Sequence, residues 1–249
     1  MTDVATKAAD TTGSSSAAPK GLLARAMGVI VSPRETYAAI AAHPRVLGAL
    51  AVVLVIVVSA QTAFLFTEVG RDALFDQQIR TMESFGVRIN DQMYAGMEQG
   101  LQWAPYTGAV FTLVLFPIMW AIVAGIILGV FNAIMGGDGT FKQVYAVVVH
   151  SGFLMALQQL FVNPLNYARQ SMSSPTNLAV FFPFLDETSF PAMLLGGIDL
   201  FFIWLIVNQA IGIGVLYGRR TGPIASTMLG IYVSVVLVVA AVRSALSGA

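Results

Sequence analysis

Side chains able to do chemistry are scarce in this sequence, and most lie outside its apolar stretches. The chain has two His, 13 carboxylates and no Cys, which excludes a thiolate nucleophile, a disulfide framework and a thiolate zinc site. Asp199 is the one charged-type residue inside an apolar stretch long enough to cross a bilayer. An ionised carboxylate at that depth costs roughly 2.5–3.5 kcal/mol on insertion scales, so Asp199 needs a partner, a raised pKa or water. Two roles follow for it and for the polar residues nearest to it. Asp199 and His150 could act as titrating stations of a proton or ion path. Alternatively they join Gln158, Gln159, Asn163, Asn208 and Gln209 in interhelical hydrogen bonds that fix helix register. Intramembrane proteolysis is disfavoured, because no second buried acid and no recognisable Ser/His motif accompanies Asp199.

Two further motifs invite a chemical reading and lose it on inspection. Gly136-Gly137-Asp138-Gly139 is rich enough in glycine to cradle a phosphate, but it lacks GxxxxGK[ST] and lies between apolar stretches. It reads as a very tight turn that uses positive φ. Met93 and Met97 are four apart, and soft thioethers suit Cu(I), yet no His or Cys stands beside them, so they read as part of a packing stripe. No metal and no cofactor is expected.

The elements that must position these groups are membrane helices. Hydrophobic residues make up 57% of the 249 positions and charged residues 10%, against about 25% charged in a soluble domain. Such a chain cannot clothe a globule in polar side chains, which argues against a soluble enzyme or a nucleic-acid-binding domain. Stretches free of Asp, Glu, Lys and Arg predict spans at about 46–67, 106–135, 144–164, 191–218 and 222–242, the fourth interrupted by Asp199. The expected fold is all-α, a polytopic five-transmembrane-helix bundle occupying 45–243.

Residues 1–20 are mostly Ala, Ser, Thr, Asp and Lys and predict a disordered cytoplasmic tail. In 21–44, Leu22, Leu23, Ala26, Met27 and Ile30 recur at helical spacing, so an interfacial amphipathic helix is expected. A short elbow helix follows. Ser32 and Glu35 would form its capping box, Pro33 suits its first position, and His43-Pro44 ends it. The stretch 69–103 carries Phe75, Ile79, Met82, Ile89, Met93, Met97 and Leu101 near one stripe with Gly86 as a break, predicting a helical outer loop of two amphipathic helices. Small residues repeat every four positions at Gly125 and Gly129, at Gly214 and Gly218, and around Gly230, marking close helix packing within the chain or in a dimer.

Lys and Arg are unequally shared between the two sides. Lys7, Lys20, Arg25, Arg34, Arg45, Lys142, Arg219 and Arg220 fall on one, against Arg71, Arg80, Arg88, Arg169 and Arg243 on the other. The positive-inside rule then places the N-terminus in the cytoplasm and the C-terminus outside, in a plasma (inner) membrane. At ~1.5 Å per residue from Pro191, Asp199 lies about 12 Å below the outer end of its span. Counted in the same way, Gln158 and Gln159 share its depth, while His150 is level with Asn208 and Gln209, so two polar layers are expected.

The order of these pieces resembles the Yip family, membrane proteins whose eukaryotic members were named for interaction with Ypt/Rab GTPases. The resemblance rests on Ser-Pro-Arg-Glu-Thr-Tyr at 32–37 with His43-Pro44 behind it, and on Gly-Gly-Asp-Gly-Thr-Phe-Lys-Gln at 136–143 ahead of a polar third span. Asp199, Trp204 and Gly212 complete it. It implies a five-span domain with a cytoplasmic N-terminus and, for eukaryotic members, a role in membrane traffic. The long outer loop and short turns look more like the bacterial branch, where a cell without Rab proteins offers no such partner. The function expected is therefore a non-enzymatic membrane scaffold or adaptor, partnered by the bilayer and by other membrane proteins or a second copy. The rival is a small-solute or proton-coupled transporter using Asp199 and His150; a membrane-embedded enzyme is a distant third.

Overall fold

A computed structural model describes residues 21–247, and the predicted tail at 1–20 lies outside them. Helix α1 spans Leu22–Val31 and α2 spans Pro33–Ala42. They meet at Ser32 with almost no connecting chain and cross at Gly28, where an added Cβ would stand 2.2 Å from Thr36 Oγ1. The capping box expected at Ser32 and Glu35 does not form. Because α1 runs up to Val31, the Ser32 amide already donates to the Gly28 carbonyl at 2.8 Å, leaving Glu35 no orphan donor to reach. Pro33 does take the first position of α2, and His43 closes it ahead of Pro44 as the sequence requires.

The long apolar helices follow. Helix α3 is Leu47–Leu65; α4 (Glu68–Ser84) and α5 (Asp91–Gly100) form the 69–103 stretch, parted at Gly86 with φ 75°. Helix α6, Ala104–Leu128, continues through Pro117 and ends in a π-helical turn, Gly129–Ile134. Helices α7 (Phe141–Ser151) and α8 (Phe153–Arg169) form the third stretch, then α9 (Phe190–Gly196), α10 (Leu200–Leu216) and α11 (Thr221–Ser247) complete the chain. The described residues are helical, with a single isolated bridge between Asn177 and Asp199.

Four helical stretches among the described residues are long and apolar enough to cross a membrane: α3, the run through α5 and α6, α7 with α8, and α11. The predicted fourth span, 191–218, is not continuous. It divides into α9 and the 17-residue α10, with Gly197 to Asp199 outside either helix.

The bundle has two distinct ends. The turn end gathers the close of α2, the 135–140 turn and the α10–α11 junction, since Gln143 donates to the Ala41 carbonyl and Arg219 to the Met135 carbonyl. The loop end gathers α4, the 170–189 segment and the close of α11, since Arg80 meets Glu187 and Arg243 donates to Ser84. The core centres on Tyr37, Ile40, Val144, Val147, Val148, Val149 and Ile213, so α7 is its axis. Accordingly the third stretch, the most polar by sequence, is the most enclosed. Its apolar window is 61% buried against 6% for α11, because polar groups at membrane depth are held inside the bundle.

Candidate functional site

Asp199 sits where α9 stops and α10 begins. It is the N-cap of α10, extended at φ −106° and ψ 134°, with its carboxylate taking the first free amides of the helix. Oδ1 accepts from the Phe201 amide at 2.8 Å, the Phe202 amide at 3.3 Å and Gln158 Nε2 at 3.3 Å. Oδ2 accepts from Ser174 Oγ at 2.5 Å and Thr176 Oγ1 at 2.7 Å. The Asp199 amide donates to Tyr232 Oη of α11 at 3.1 Å, and that hydroxyl donates to the Gly197 carbonyl at 2.7 Å. Backbone pairing completes the knot: Leu178 donates to Ile198 and Leu200 to Thr176. Five donors thus saturate a carboxylate that is 9% exposed.

The expected partnership with Gln158 is present, and Gln159 makes no hydrogen bond among the described residues. Asp199 is not the mid-span acid that the apolar pattern implies. A carboxylate that caps a new helix, following Gly196 and Gly197, starts that helix instead of being carried through it. Ser174 and Thr176 escape notice in the sequence because they lie in an aperiodic return loop. The run Ser-Ser-Pro-Thr-Asn at 173–177 is the only local sign of a hydroxyl-rich turn. Farther along that loop, Asp186 is held below the usual carboxylate range by the Thr188 hydroxyl and amide.

The second polar layer has different partners from those expected. His150 does not meet Asn208 or Gln209, because a carbonyl of its own helix and Arg25 of the α1–α2 hairpin take its two ring nitrogens. Its Nδ1 donates to the Ala146 carbonyl at 2.7 Å, which leaves Nε2 to accept from Arg25 Nη1 at 3.3 Å. Asn208 accepts from the Tyr37 hydroxyl and donates to the Val29 carbonyl at 2.8 Å. Gln209 donates to Ser151 Oγ at 3.0 Å. Asn163 Nδ2 is buried and has no acceptor among the described residues. Helix α1, expected along the membrane surface, packs its Gly28 and Val29 face against α2, α3, α7 and α8 and leaves Leu23, Met27 and Val31 exposed.

The Gly136 to Gly139 turn is a tyrosine clasp. Gly136 has φ 68°, and added Cβ atoms at Gly137 and Gly139 would stand 2.7 and 2.6 Å from Tyr217 atoms. Tyr217 Oη donates to Asn132 Oδ1 at 2.9 Å, and Asn132 Nδ2 donates to the Gly139 carbonyl at 2.7 Å, so the π-helical turn aims Asn132 at the loop. The capping box missing at Ser32 occurs here: Thr140 donates to Gln143 Oε1 at 2.9 Å and the Gln143 amide to Thr140 Oγ1 at 3.4 Å.

Of the small residues marked for packing, Gly214 lies against the Arg219 carbonyl, and Gly218, with φ 61°, ends α10. At Gly125, Gly129 and Gly230 an added Cβ meets no protein atom within 4 Å. Packing within the chain therefore does not use those three. It uses Gly28, Gly152 against Trp120, Gly197 against Val236 and Gly212 against Tyr37 and Val147, whose spacing carries no four-residue repeat.

No curated protein and no solved structure matches the chain. The family model described as the Yip1 domain matches residues 27–243 and so takes in the hairpin from Met27 onward, the clasp and the Asp199 knot. An all-helical membrane protein built around these three features, matched from α1 to α11 by that one model, belongs to the Yip1 domain family.

Proposed function

We propose that this Yip-family chain is a membrane scaffold or adaptor without catalytic activity, organising or assisting other membrane proteins. The observation that carries this reading is an unused packing surface on α6. Gly125 and Gly129 have no protein atom within reach of an added Cβ, and Ala133 one turn on is exposed. Small residues at that spacing suit the close approach of another transmembrane helix. The saturation of Asp199 supports the same reading over solute or proton transport, because a carboxylate with five donors has no lone pair left for a moving proton. No cofactor belongs to the reading.

The setting proposed is the plasma (inner) membrane of a bacterial-branch member, crossed five times. Helix α10 supplies the fifth crossing: 17 residues span about 25 Å, at the short end of what a bilayer needs. The turn end then faces the cytoplasm and the loop end the outside.

A photocrosslinking residue in place of Ile126, on the exposed side of α6, tests the adaptor role in native membranes. It is expected to give a discrete protein adduct, either a second copy or a stoichiometric partner, that is lost in Gly125→Leu/Gly129→Leu. Only lipid adducts, with a monomer after solubilisation, would overturn the proposal.

A further inference from the structure

At the loop end a cavity of about 560 Å³ opens between α3, α4, α5 and α6. That volume lies within the usual range of small-molecule sites, roughly 300 to 1,000 Å³. None of the residues lining it carries a charge. Leu65, Met97 and Phe111 provide apolar wall, and Gln61 and Gln78 provide amides. Gln61 is oriented by the protein: its Oε1 accepts from Thr112 Oγ1 at 3.1 Å. Its Nε2 stands over Gly108, where an added Cβ would be 3.4 Å away, and finds no acceptor among the described residues. An amide N–H that the protein leaves unpaired at the cavity wall can donate to an acceptor on a ligand. Two walls come from the apolar helices α3 and α6 and two from the more polar helices α4 and α5, so the cavity offers a lipid both an apolar and a polar side.

We propose that this cavity holds one acyl chain of a membrane lipid, whose uncharged ester carbonyl accepts from Gln61 Nε2. The absence of charge in the lining selects an ester and its chain over a phosphate, which would need a cationic partner. Gly108 keeps the space beside the amide clear. The site lies apart from the exposed side of α6 at Gly125 and Gly129 and does not depend on a protein partner there.

The test uses the full chain in detergent and a monoacylglycerol bearing a diazirine midway along its acyl chain. Irradiation and peptide mapping should concentrate adducts on 97–111 and on Leu65, with labelling suppressed by excess unlabelled monoacylglycerol. Gly108→Phe fills the cavity and should lower labelling at least fivefold. If that variant does not fold, Gly108→Ala, whose methyl makes only ordinary contacts with Gln61 and Leu65, should lower it about twofold. Gln61→Leu should weaken competition about fivefold, as loss of one hydrogen bond implies. Adducts spread evenly over α11, or labelling unchanged by the Gly108 variants, would overturn the site. Unchanged competition in Gln61→Leu would overturn the carbonyl contact.

Discussion

Asp199 shows how one side chain can set the course of the backbone. It stands just past the end of one helix, caps the next and binds a loop more than 20 residues upstream. Asp199→Ala removes the cap and leaves the hydroxyls of Ser174 and Thr176 with only each other, and should cost about 2 to 4 kcal/mol. Asp199→Asn keeps one acceptor oxygen and should cost about 1 to 2 kcal/mol. Thermal unfolding in detergent measures both, and equal stability of all three proteins would dissolve the knot as a structural element. At the second layer, Tyr37→Phe leaves Asn208 Oδ1 buried without its hydroxyl donor and should cost about 1 to 3 kcal/mol by the same measurement. The pairing of Asp199 with Gln158 was legible because depth counting needs only span ends and a fixed rise. Ser174, Thr176 and Arg25 were not, since they arrive from a loop and a hairpin whose placement no periodicity encodes.

Among the elements, long apolar stretches declared themselves, while junctions followed local hydrogen bonding that composition does not reveal. The break at Gly86 and the close of α2 at His43-Pro44 were readable because glycine and proline act through their own backbone geometry. The capping pattern at Ser32 does not produce a cap, because its amide is used by the preceding helix. The Gly136 to Gly139 turn was readable as a turn, but its clasp by Tyr217 was not, since the ring comes from α10. That clasp predicts that Gly139→Ala costs about 1 to 3 kcal/mol through overpacking, and that Tyr217→Ala in the same chain recovers part of the loss. Gly125→Ala, meeting no protein atom, should cost under about 0.5 kcal/mol in the isolated protein. Equal costs at Gly139 and Gly125 would remove the clasp from the account.

At the scale of the whole molecule, the sequence shares its Lys and Arg unequally between the segments on the two sides of the predicted spans, and the membrane orientation proposed above rests on that division. A chain with no Cys makes this easy to examine, because any introduced thiol reports alone. Glu187→Cys at the loop end should react with an impermeant maleimide on intact cells, and Asp138→Cys at the turn end only after permeabilisation. Ala249→Cys should behave like Glu187→Cys if α10 completes a fifth crossing, and like Asp138→Cys if it does not. The charge division was readable from sequence alone; the enclosure of α7 by the α1–α2 hairpin was not, because it joins parts of the chain far apart in number.

That distance gives the hairpin a history. Asn208 donates to Val29 across 179 positions, and Tyr37 waits for the same amide. At about 5 to 20 residues per second of synthesis, roughly 10 to 35 s separate the emergence of α2 from that of α10. For that interval Tyr37 has no final lodging, and the exposed Leu23, Met27 and Val31 give α1 a greasy side with which to wait at the lipid surface. The amphipathic spacing near the N-terminus suits α1 both to that wait and to its final place, where Gly28 and Val29 turn inward and Leu23, Met27 and Val31 stay exposed.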